Sequence, residues 1–550
     1  MMTMPAYRYA LIFSFVILFA INAATRPAAG FDDFIRSQNP DFLTYEELCL
    51  LSKDPFPGGA VEKKLNRFWE TPTINNEAWY EGVRPTPHDH ALLGRHLRVV
   101  SWNIEKSYKI EKAVEAFTDT AAFEKQIDPA KAEAGSDARR MILGQQKKLL
   151  SADIVLLQEM DIGVKRSGYI DAAKTLAQAM KMNYAYAAEQ LEVDPVMLGT
   201  EKLYYEKEDG GQSRVDQEST DYYRVDPAKE KGAFGIAVLS HYPIKKAVSF
   251  QLKTKPYDWY YGEKNKVTFL EHSRRFGAKE ILENEITREI KVGGRTFFRV
   301  DLEVPGLPED TLTIINIHLE IKCRPEGREA QILEILSYIQ DIKHPVIMAG
   351  DFNSASGDLS PTSVSRVVKR TAKNPTTWLS LGINYLTANG LLINTLRSTS
   401  NLTRNYQDPT ARNIPVIAPN PASGLFKSIE NFRFEDGGAF DFRGDKNRSI
   451  NEKNEKLANS NQRDLKGFKT TFSVKRPVGI WGKYRLDWFF VKSFLKNPED
   501  KSGPYQLAPH FGETLEELNT GLKIPISDHH PSVIDMPFEE PVKLDSSDRW

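Results

Sequence analysis

The chain has 550 residues, of which 41% are hydrophobic and 27% are charged, an ordinary globular composition. Lysine and arginine number 73 and aspartate and glutamate 74, so the formal net charge is -1. This balance neither indicates nor excludes nucleic-acid binding, and any contact with a polyanion must come from a local patch. The two cysteines, Cys49 and Cys323, exclude a multi-disulfide scaffold and a thiolate zinc site. They are equally compatible with one disulfide and with two free thiols.

Residues 1–29 have the order of regions of a secretory signal. Arg8 precedes an apolar stretch from Tyr9 to Ala24, and small residues follow it. The stretch is shorter than the ~20 residues that a membrane-spanning helix needs. We therefore expect a cleaved signal and an exported protein, periplasmic or secreted, in preference to an uncleaved membrane anchor. No other apolar run in the sequence is long enough to span a bilayer.

Short apolar segments alternate with amphipathic ones after a lead-in, residues 30–96, that contains Pro and Gly turns. The apolar segments are rich in β-branched or aromatic residues, which predicts strands, and the amphipathic ones predict helices. This alternation favours an α/β sandwich. The predicted strands are 97–104, 152–160, 235–244, 296–304, 312–320, 345–353 and 485–492, and the predicted helices are 138–151, 170–181 and 327–342.

Two stretches interrupt the alternation. Residues 200–232 are charged and rich in tyrosine, and residues 354–484 are rich in Asn, Ser, Pro and Gly. A compact domain seldom holds a structureless loop as long as the second. We therefore expect insertions here, the second with some structure of its own or serving as a substrate-facing lid.

Polar side chains stand at or near the ends of several predicted strands. Each short motif has an ordinary structural explanation when it is taken alone: "GDFN" suits an Asx turn, a lone histidine a hydrogen-bonded position beside a strand, and "QE" the polar edge of a sheet. The set is Asn103 in "SWNIE", Glu159 in "LLQEMD", His318 in "NIHLE", Asp351 and Asn353 in "GDFN", Asp487 in "RLDW", and Asp528 with His529 in "SDHHP".

In this order and on these predicted elements, the motifs resemble those of the endonuclease/exonuclease/phosphatase superfamily of metal-dependent phosphoesterases. The resemblance covers roughly residues 97–536 without the insertions. We therefore place the family domain at 97–540, with 30–96 as an extension that packs on it. The resemblance implies an α/β fold, a four-layer sandwich of two packed mixed β-sheets flanked by helices, with strand-end loops meeting at one end.

On such a scaffold several carboxylates share one pocket and need a counter-charge. Two carboxylates about 4 Å apart repel by roughly 4 kcal/mol at an effective dielectric constant near 20. A group of them therefore binds a cation or takes up protons. Carboxylate, amide and water oxygens suit Mg²⁺ or Mn²⁺, so we expect Mg²⁺ as the cofactor, with Mn²⁺ as an alternative.

The resemblance also implies the metal-side roles. Glu159 would be the central metal ligand, supported by Asn103 and, directly or through water, by Asp528. Asp351 would orient or deprotonate the attacking water, and Asn353 would hold a phosphoryl oxygen. These residues would therefore serve an in-line attack of water on phosphorus.

The two histidines would manage protons and charge on the phosphate. His529, held by Asp487, would polarise the phosphate or act as the general base, and His318 would bind phosphate or help the leaving oxygen depart. The sequence leaves open whether Asp351 or His529 takes the proton.

The spacing within "GDFN" has a simple strand explanation. Residues two apart on a strand point the same way, so Asp351 and Asn353 would face the site while Phe352 faces the core. Gly350 would let two backbones approach closely.

Some positions depart from the family pattern or support weaker statements. Lys106 stands where a glycine is common and Ile236 where an asparagine is frequent, and we expect neither to touch the metal. Arg328 and Gln331 are predicted on a solvated helix face rather than at a phosphate. The aromatic residues of 258–264 are predicted to be core rather than a platform for a base or lipid.

Three functions compete. The first is an exported Mg²⁺-dependent phosphodiesterase acting on nucleic acid. The second is a phospholipid or sphingomyelin-type phosphodiesterase, or a phosphatase of the same superfamily, which would want an exposed apolar hairpin or a basic membrane-facing patch that the sequence does not display. The third is a catalytically silent binding module, which the intact motif residues disfavour. A local basic groove would favour nucleic acid over lipid.

Overall fold

The computed structural model describes residues 34–91, 93–201, 224–264, 289–354, 422–440, 468, 470–478, 481–495 and 505–539. The predicted signal, residues 1–29, and most of both predicted insertions lie outside this part of the chain. Within the described residues, no helix combines the length and apolarity that crossing a membrane requires.

A ten-stranded mixed sheet forms one half of the architecture. Its main path runs β1-β2-β6-β7-β5-β4-β19-β18, with β3 paired to β4 and β9 paired to β6. The strands are β1 (Ser37–Gln38), β2 (Thr73–Asn75), β3 (His88–His90), β4 (Gly94–Asn103), β5 (Ile154–Ile162), β6 (Asn183–Glu192), β7 (Ala233–Ser240), β9 (Lys291–Gly293), β18 (His510–Thr514) and β19 (Ser532–Pro537).

A five-stranded sheet forms the other half, in the order β15-β12-β11-β10-β8. Its strands are β8 (Ile244–Gln251), β10 (Thr296–Glu303), β11 (Thr311–His318), β12 (Val346–Asp351) and β15 (Asp487–Lys492). Two small antiparallel pairs accompany the sheets, β13 (Phe472–Val478) with β14 (Trp481–Tyr484) and β16 (Phe494–Leu495) with β17 (Tyr505–Gln506).

Helices lie on the outer faces of both sheets. Polar N-caps begin several of them: Ser136 accepts the amide of Arg139, and Asp171 accepts the amide of Lys174. The helices are α1 (Tyr45–Lys53), α2 (Gly59–Glu70), α3 (Glu77–Tyr80), α4 (Ile110–Thr118), α5 (Thr120–Gln126), α6 (Asp137–Leu150), α7 (Ala172–Met180), α8 (Trp259–Glu263), α9 (Pro325–Ser337), α10 (Ser423–Asn431) and α11 (Glu516–Thr520).

Three large apolar clusters separate these layers. One lies between the large sheet and its helices, and another between the small sheet and α9 and α10. The third fills the space between the sheets, because alternate strand residues point inward from both. It joins Val99, Leu156 and Val238 of the large sheet to Phe298, Ile314 and Ile347 of the small one. The predicted α/β four-layer sandwich is therefore confirmed.

The register of three strand pairs places polar residues at one end of the sandwich. In the parallel pair β11–β12, His318 lies opposite Asp351, and in the antiparallel pair β12–β15, Asp351 lies opposite Asp487. In the parallel pair β4–β5 of the large sheet, Asn103 lies opposite Gln158. Adjacent strands thus deliver their polar ends to a shared location.

A buried polar bridge fixes the distance between the sheets just below that end. Nε2 of Gln158 donates to Oδ1 of Asn316 at 2.7 Å. Nδ2 of Asn316, on the small sheet, donates to the carbonyl oxygens of Leu157 and Ala237, on the large sheet, at 3.0 and 2.8 Å. Such bonds are costly to lose because their groups are cut off from water. They therefore hold the two sheets in one relative position.

The lead-in contributes to the large sheet. β2 pairs antiparallel with β6, and β1 pairs with β2, so residues 37–38 and 73–75 form an edge of that sheet. Asn76 adds a buried link to the small sheet, because its side chain bonds the backbone oxygen and amide of Ile244. The bounds 30–96 for an extension and 97–540 for a family domain stay predictions.

Every predicted strand and helix overlaps an observed one, but the sequence prediction omitted strands. The predicted strand 235–244 covers most of β7, which ends at Ser240, then a turn, and then Ile244, the first residue of β8. β6 was omitted because its alanines and charged residues dilute the β-branched signal. β19 directly follows the "SDHHP" motif and is not among the predicted strands.

Replacing Gly350 by alanine is expected to destabilise the small sheet. Gly350 has φ +136, and an added Cβ would lie 2.1 Å from the carbonyl oxygen of Ile317 on β11. We expect the free energy of unfolding in urea to fall by about 2–4 kcal/mol.

Gly144→Ala is the matched control. Gly144 lies inside α6 with open space around a Cβ, so alanine should raise the free energy of unfolding by about 0.5–1 kcal/mol. Equal urea midpoints for the two variants would contradict this account of Gly350.

Candidate active site

Asn103 joins carboxylates of the two sheets at the polar end of the sandwich. Its Nδ2 donates to Oε1 of Glu159 on β5 at 3.3 Å and to Oδ2 of Asp351 on β12 at 3.1 Å. Its side chain is 1% exposed, so neither bond competes with bulk water. One amide thus sets the separation of two acidic groups that lie far apart in sequence.

Glu159 occupies an irregular position in its strand. The β5–β7 register shifts between Leu157 and Met160, and Glu159 has φ +60, a left-handed backbone conformation. Such a bulge re-aims a side chain. The carboxylate accepts the backbone amide of Lys106 at 3.1 Å. The backbone amide of Lys106 therefore contacts Glu159, and the expectation that Lys106 does not touch the metal itself stays a prediction.

The charges around Glu159 favour its ionised form. Burial by itself raises the pKa of a carboxyl group, but the nearby His318, Lys106 and His529 and the hydrogen bond from Asn103 lower the pKa of Glu159 below its usual value. Nε2 of His318 lies 3.9 Å from Oε1 of Glu159. Glu159 is therefore an anion ready to hold a cation.

The "GDFN" turn buries Phe352 as predicted, but it places Asn353 beyond the strand, in a left-handed turn. Phe352 is 0% exposed and packs edge-on against Phe490 at 5.3 Å between ring centroids. Asn353 has φ +46; its backbone amide donates to Oδ1 of Asp351 at 2.7 Å, and its Nδ2 donates to the carbonyl oxygen of Leu319 at 2.9 Å. The turn is therefore an Asx-type turn and a part of the site at the same time.

His529 forms a hydrogen-bonded pair with Asp487. Nδ1 of His529 lies 2.9 Å from Oδ2 of Asp487, and its Nε2 lies 3.8 Å from Oδ2 of Asp351. Burial by itself lowers the pKa of a histidine, but Asp487, Asp351 and Asp528 together raise the pKa of His529 well above its usual value. One ring nitrogen of His529, Nδ1, therefore faces Asp487, and the other, Nε2, faces Asp351.

A short segment holds this pair in register. Oγ1 of Thr471 accepts the amides of Leu486 at 2.9 Å and Asp487 at 3.1 Å. The carbonyl oxygen of Thr471 accepts the amide of His530 at 2.6 Å. The ring of Phe472 packs on the imidazole of His529 at 4.9 Å. Residues 471–472 thus connect the strand that carries the aspartate to the loop that carries the histidine.

Asp528 extends the acidic group. Burial raises the pKa of Asp528 to about 8, assisted by the negative charges of Glu105, Glu159 and Asp351 and opposed by His529. Ser527 fixes the start of this loop, because its hydroxyl donates to the carbonyl oxygen of Asn103 at 2.7 Å. The site therefore holds more negative charge than its own cations neutralise.

His318 has partners that the sequence prediction missed. Nδ1 of His318 lies 2.8 Å from Oε2 of Glu189 on β6, whose side chain is 0% exposed. Nη1 of Arg295 lies 3.1 Å from the same carboxylate oxygen and 2.7 Å from Nδ1 of His318. The sequence signal that could have found Glu189 is a glutamate in the middle of the largely apolar segment "NYAYAAEQLE". A carboxylate that is buried in this way needs a hydrogen-bonding or charged partner.

Arg328 and Gln331 do not lie on a solvated face, so that prediction was wrong. Arg328 is 0% exposed and Gln331 is 1% exposed. Nε of Arg328 donates to Oγ of Ser354 at 3.0 Å, and Oε1 of Gln331 accepts the amide of Glu320 at 3.0 Å. α9 follows the site loop and packs beneath the small sheet, so its polar face bonds the loop instead of water.

The aromatic residues of 258–264 divide between core and surface. Trp259 and Tyr260 are buried as predicted, whereas Tyr261 is 57% exposed. Nε1 of Trp259 donates to Oε2 of Glu320 at 3.0 Å.

Cys49 and Cys323 are both free, so no disulfide joins them in this structure.

Two neighbouring sets of side chains, which share no residue, offer ligand atoms for a metal ion. Asp351, Asp487 and His529 are buried and offer one atom each within 4.8 Å of one another. The neighbouring set of Glu159, Asn103 and Asp528 offers the oxygen donors that hard divalent cations prefer. Burial and then the surrounding carboxylates raise the pKa of Asp528, and a bound cation would offset the repulsion among these carboxylates. The donor chemistry therefore fits a divalent ion.

Asp528→Asn is expected to stabilise the metal-free protein more at pH 8 than at pH 5. The unfolded chain releases the Asp528 proton near pH 4, while the native state keeps it to about pH 8. Between these values the native state binds more protons, so its stability falls as pH rises. Asparagine removes this loss, which over the three pH units from 5 to 8 is at most about 4 kcal/mol.

Urea unfolding in EDTA at both pH values measures the effect. Asp226→Asn, at a surface carboxylate that pairs with Lys229, is the control and should show no such pH dependence. An Asp528→Asn variant that is no more stable than the parent at pH 8 would refute the prediction.

Comparisons with known proteins agree with this architecture. The model of the Endonuclease/Exonuclease/phosphatase family matches residues 100–529. No curated protein matches the sequence at a significant level.

Three solved structures align with most of the chain at low identity. An endonuclease/exonuclease/phosphatase from Beutenbergia cavernae DSM 12333 is 15% identical, with a TM-score of 0.33 over 81% of this chain and 72% of its own. One from Bacteroides vulgatus is 13% identical, with a TM-score of 0.34 over 81% of this chain and 99% of its own. An AP endonuclease from Archaeoglobus fulgidus is 12% identical, with a TM-score of 0.34 over 80% of this chain and 98% of its own.

The assignment rests on the family model, because TM-scores below 0.5 add no weight to it. That model spans most of the chain and covers every strand that carries a residue of the site, from Asn103 on β4 to His529 before β19. The whole small sheet and every residue of the candidate site lie in the matched range, whereas β1, β2, β3 and β19 of the large sheet lie outside it. The chain belongs to the endonuclease/exonuclease/phosphatase family.

Proposed function

We propose that the protein is an exported, Mg²⁺-dependent phosphodiesterase that hydrolyses nucleic acid by in-line attack of water. One observation carries this proposal: Asn103 spans Glu159 and Asp351 while His529, paired with Asp487, points at Asp351. The carboxylate of Asp351 would therefore be shared by the proposed cation site and by the proposed proton-transfer pair of Asp487 and His529. A silent binding module would have no need of this arrangement.

Glu159, Asn103 and Asp528 would hold the metal, with Asp351 completing the acidic group. A bound Mg²⁺ supplies charge neutralisation at the phosphoryl oxygens and orients the substrate. We assign the metal here rather than between Asp487 and His529, because ligation there would break their 2.9 Å hydrogen bond.

Asp351 would orient the attacking water, and Asn353 would hold a phosphoryl oxygen. The Asp351 carboxylate receives bonds from Asn103 and the amide of Asn353, so its free lone pairs have a fixed direction. Burial, assisted by Asp487 and opposed by His529, raises its pKa, which suits a group that takes a proton from water. His529, cationic in this environment, would bind the phosphate and pass protons to and from Asp351.

His318 would act on the opposite side of the phosphate, near the leaving oxygen. Its contact with Glu189 orients the ring, and Arg295 adds a buried positive charge beside it. Such an orienting carboxylate fixes the tautomer and direction of an imidazole. Arg295 and Glu189 would therefore set how His318 meets the substrate.

Nucleic acid is the substrate that we favour over lipid. Hydrolysis of a membrane lipid calls for an apolar element that enters the interface. Among the described residues, none of the exposed large apolar side chains lies in the turn of a β-hairpin. The lipid-directed phosphodiesterase and the phosphatase remain the alternatives that the substrate screen must separate.

Export and domain limits belong to the same proposal. Residues 1–29 would be removed as a signal, 30–96 would be an extension, and 97–540 the catalytic domain with insertions near 200–232 and 354–484. The pairing of β2 with β6 supports an extension built into the domain. Amino-terminal sequencing of the protein recovered from outside the cytoplasm tests the cleavage.

The purified protein is expected to cleave plasmid DNA or RNA with Mg²⁺ and to lose this activity in EDTA. The screen should include sphingomyelin and a generic phosphodiester as competing substrates. Asp351→Asn and His529→Gln should each lower kcat by about 10²–10⁴-fold, and Glu159→Gln should also raise the Mg²⁺ concentration needed for half-maximal activity.

Asp226→Asn is again the control, because it alters a surface carboxylate and should leave kcat unchanged. Activity that survives in Asp351→Asn would overturn the residue assignments. Cleavage of sphingomyelin with no cleavage of nucleic acid would replace the proposed substrate by a lipid.

Glu189→Gln is expected to lower kcat by roughly tenfold, because His318 loses the carboxylate that orients it. Circular dichroism should show an unchanged fold. A variant with wild-type kcat would remove Glu189 from the proposed site.

A further inference from the structure

Three consecutive residues after β4 have left-handed backbones. Glu105, Lys106 and Ser107 have φ values of 47, 52 and 54 degrees. For residues other than glycine this conformation costs roughly 1–2 kcal/mol each. Surrounding contacts must therefore hold the turn in place.

The contacts of this turn all lead to the site. The amide of Glu105 donates to Oδ1 of Asn103 at 3.1 Å, and the amide of Lys106 donates to Oε2 of Glu159 at 3.1 Å. Oγ of Ser107 donates to the backbone oxygen of Glu159 at 3.2 Å and accepts the amide of Asp161 at 3.1 Å. The turn therefore holds Glu159 by its carboxylate and by its backbone.

The side chain of Lys106 extends away from the site into a series of ion pairs. Its Nζ pairs with Glu289, and Nζ of Lys291 lies 2.7 Å from Glu289 and 3.3 Å from Glu192. Nη1 of Arg166 lies 2.7 Å from Glu192, and Nη2 of Arg166 lies 2.7 Å from Asp161. We call these six residues the ion-pair ladder: Lys106, Glu289, Lys291, Glu192, Arg166 and Asp161.

The ladder starts at Lys106, in the turn after β4, and ends at Asp161 on β5. Asp161 lies two residues after Glu159 on β5, and Lys106 holds the carboxylate of Glu159. Three members of the ladder are nearly inaccessible to solvent: the side chains of Asp161, Glu192 and Lys291 are 0%, 5% and 2% exposed. Buried ion pairs contribute little net stability but cost much when one partner is removed. The ladder therefore resists displacement of the turn.

We propose that Lys106 is a positioning residue for Glu159: the ladder anchors its side chain, and this anchor keeps its strained backbone amide on the carboxylate. The inference rests on the proposed function, in which Glu159 holds the metal. Lys106 occupies a position where the family commonly has glycine, which adopts this backbone without cost. In this protein, the ion pair with Glu289 holds Lys106 in the left-handed conformation that a glycine would adopt on its own.

Two substitutions at Lys106 separate the backbone from the charge. Lys106→Met removes the anchor and keeps a side chain that disfavours the left-handed turn. Lys106→Gly removes the same charge but accepts the turn. If the ammonium instead bound substrate, the two variants would behave alike.

Calorimetry with Mn²⁺ and no substrate is the primary measurement. Lys106→Met should weaken Mn²⁺ binding about tenfold, within the range for residues that support metal ligands. Lys106→Gly should lose only about threefold, and Glu289→Gln several-fold. Glu289→Gln should add less in the Lys106→Met background than in the wild type, since its pair with Lys106 is already absent there and only its pair with Lys291 is lost.

Lys245→Met is the matched control. Lys245 forms a 2.7 Å ion pair with Glu303, and the two side chains are 34% and 24% exposed, against 23% each for Lys106 and Glu289. It lies on β8, away from the site, so Mn²⁺ binding should not change. Circular dichroism checks folding, and Glu289→Gln carries the test if Lys106→Met does not fold.

Each other outcome overturns the inference. Equal weakening in Lys106→Gly and Lys106→Met, or a raised KM with unchanged Mn²⁺ affinity, would show that the charge acts on the substrate. A wild-type protein that neither binds Mn²⁺ nor cleaves phosphodiesters would refute the proposed function itself, and it would do so before any variant is compared.

Discussion

The amide of Asn103 is the constraint on which the site depends. It donates to Glu159 on the large sheet and to Asp351 on the small sheet, so the two sheets share one hydrogen-bond donor. The bridge of Gln158 and Asn316 beneath it fixes their spacing. Without both, the acidic groups would separate or protonate, since close carboxylates repel one another.

Around this amide, each histidine of the candidate site is held by a residue from a different element. Thr471 aligns the strand of Asp487 with the loop of His529, and Glu189 orients His318 from β6. The site is thus assembled from both sheets and from loops, with little contribution from any one continuous segment. This arrangement makes the direction of each side chain a property of the whole fold.

Strand ends and their polar residues could be predicted because strand signals are local. The alternation around Phe352 correctly placed that side chain in the core, since period two needs no tertiary information, but β12 ends at Asp351, so Asn353 takes its direction from an Asx turn instead. Glu189, Arg295 and Thr471 could not be found in this way, because their importance comes from neighbours far away in sequence. Arg328 misled for the same reason: an amphipathic pattern does not reveal that the polar face of a helix lies against a loop.

The chain leaves the site at Ser354 and returns at Thr471, and both points are fastened. Ser354 is held by Arg328 and by the indole of Trp488, while Thr471 is held by the strand of Asp487. Between these anchors, Phe426 of α10 packs on Trp488, the residue after Asp487 on β15. A change of length between Ser354 and Thr471 is therefore tolerated by the site only where it leaves this aromatic packing intact.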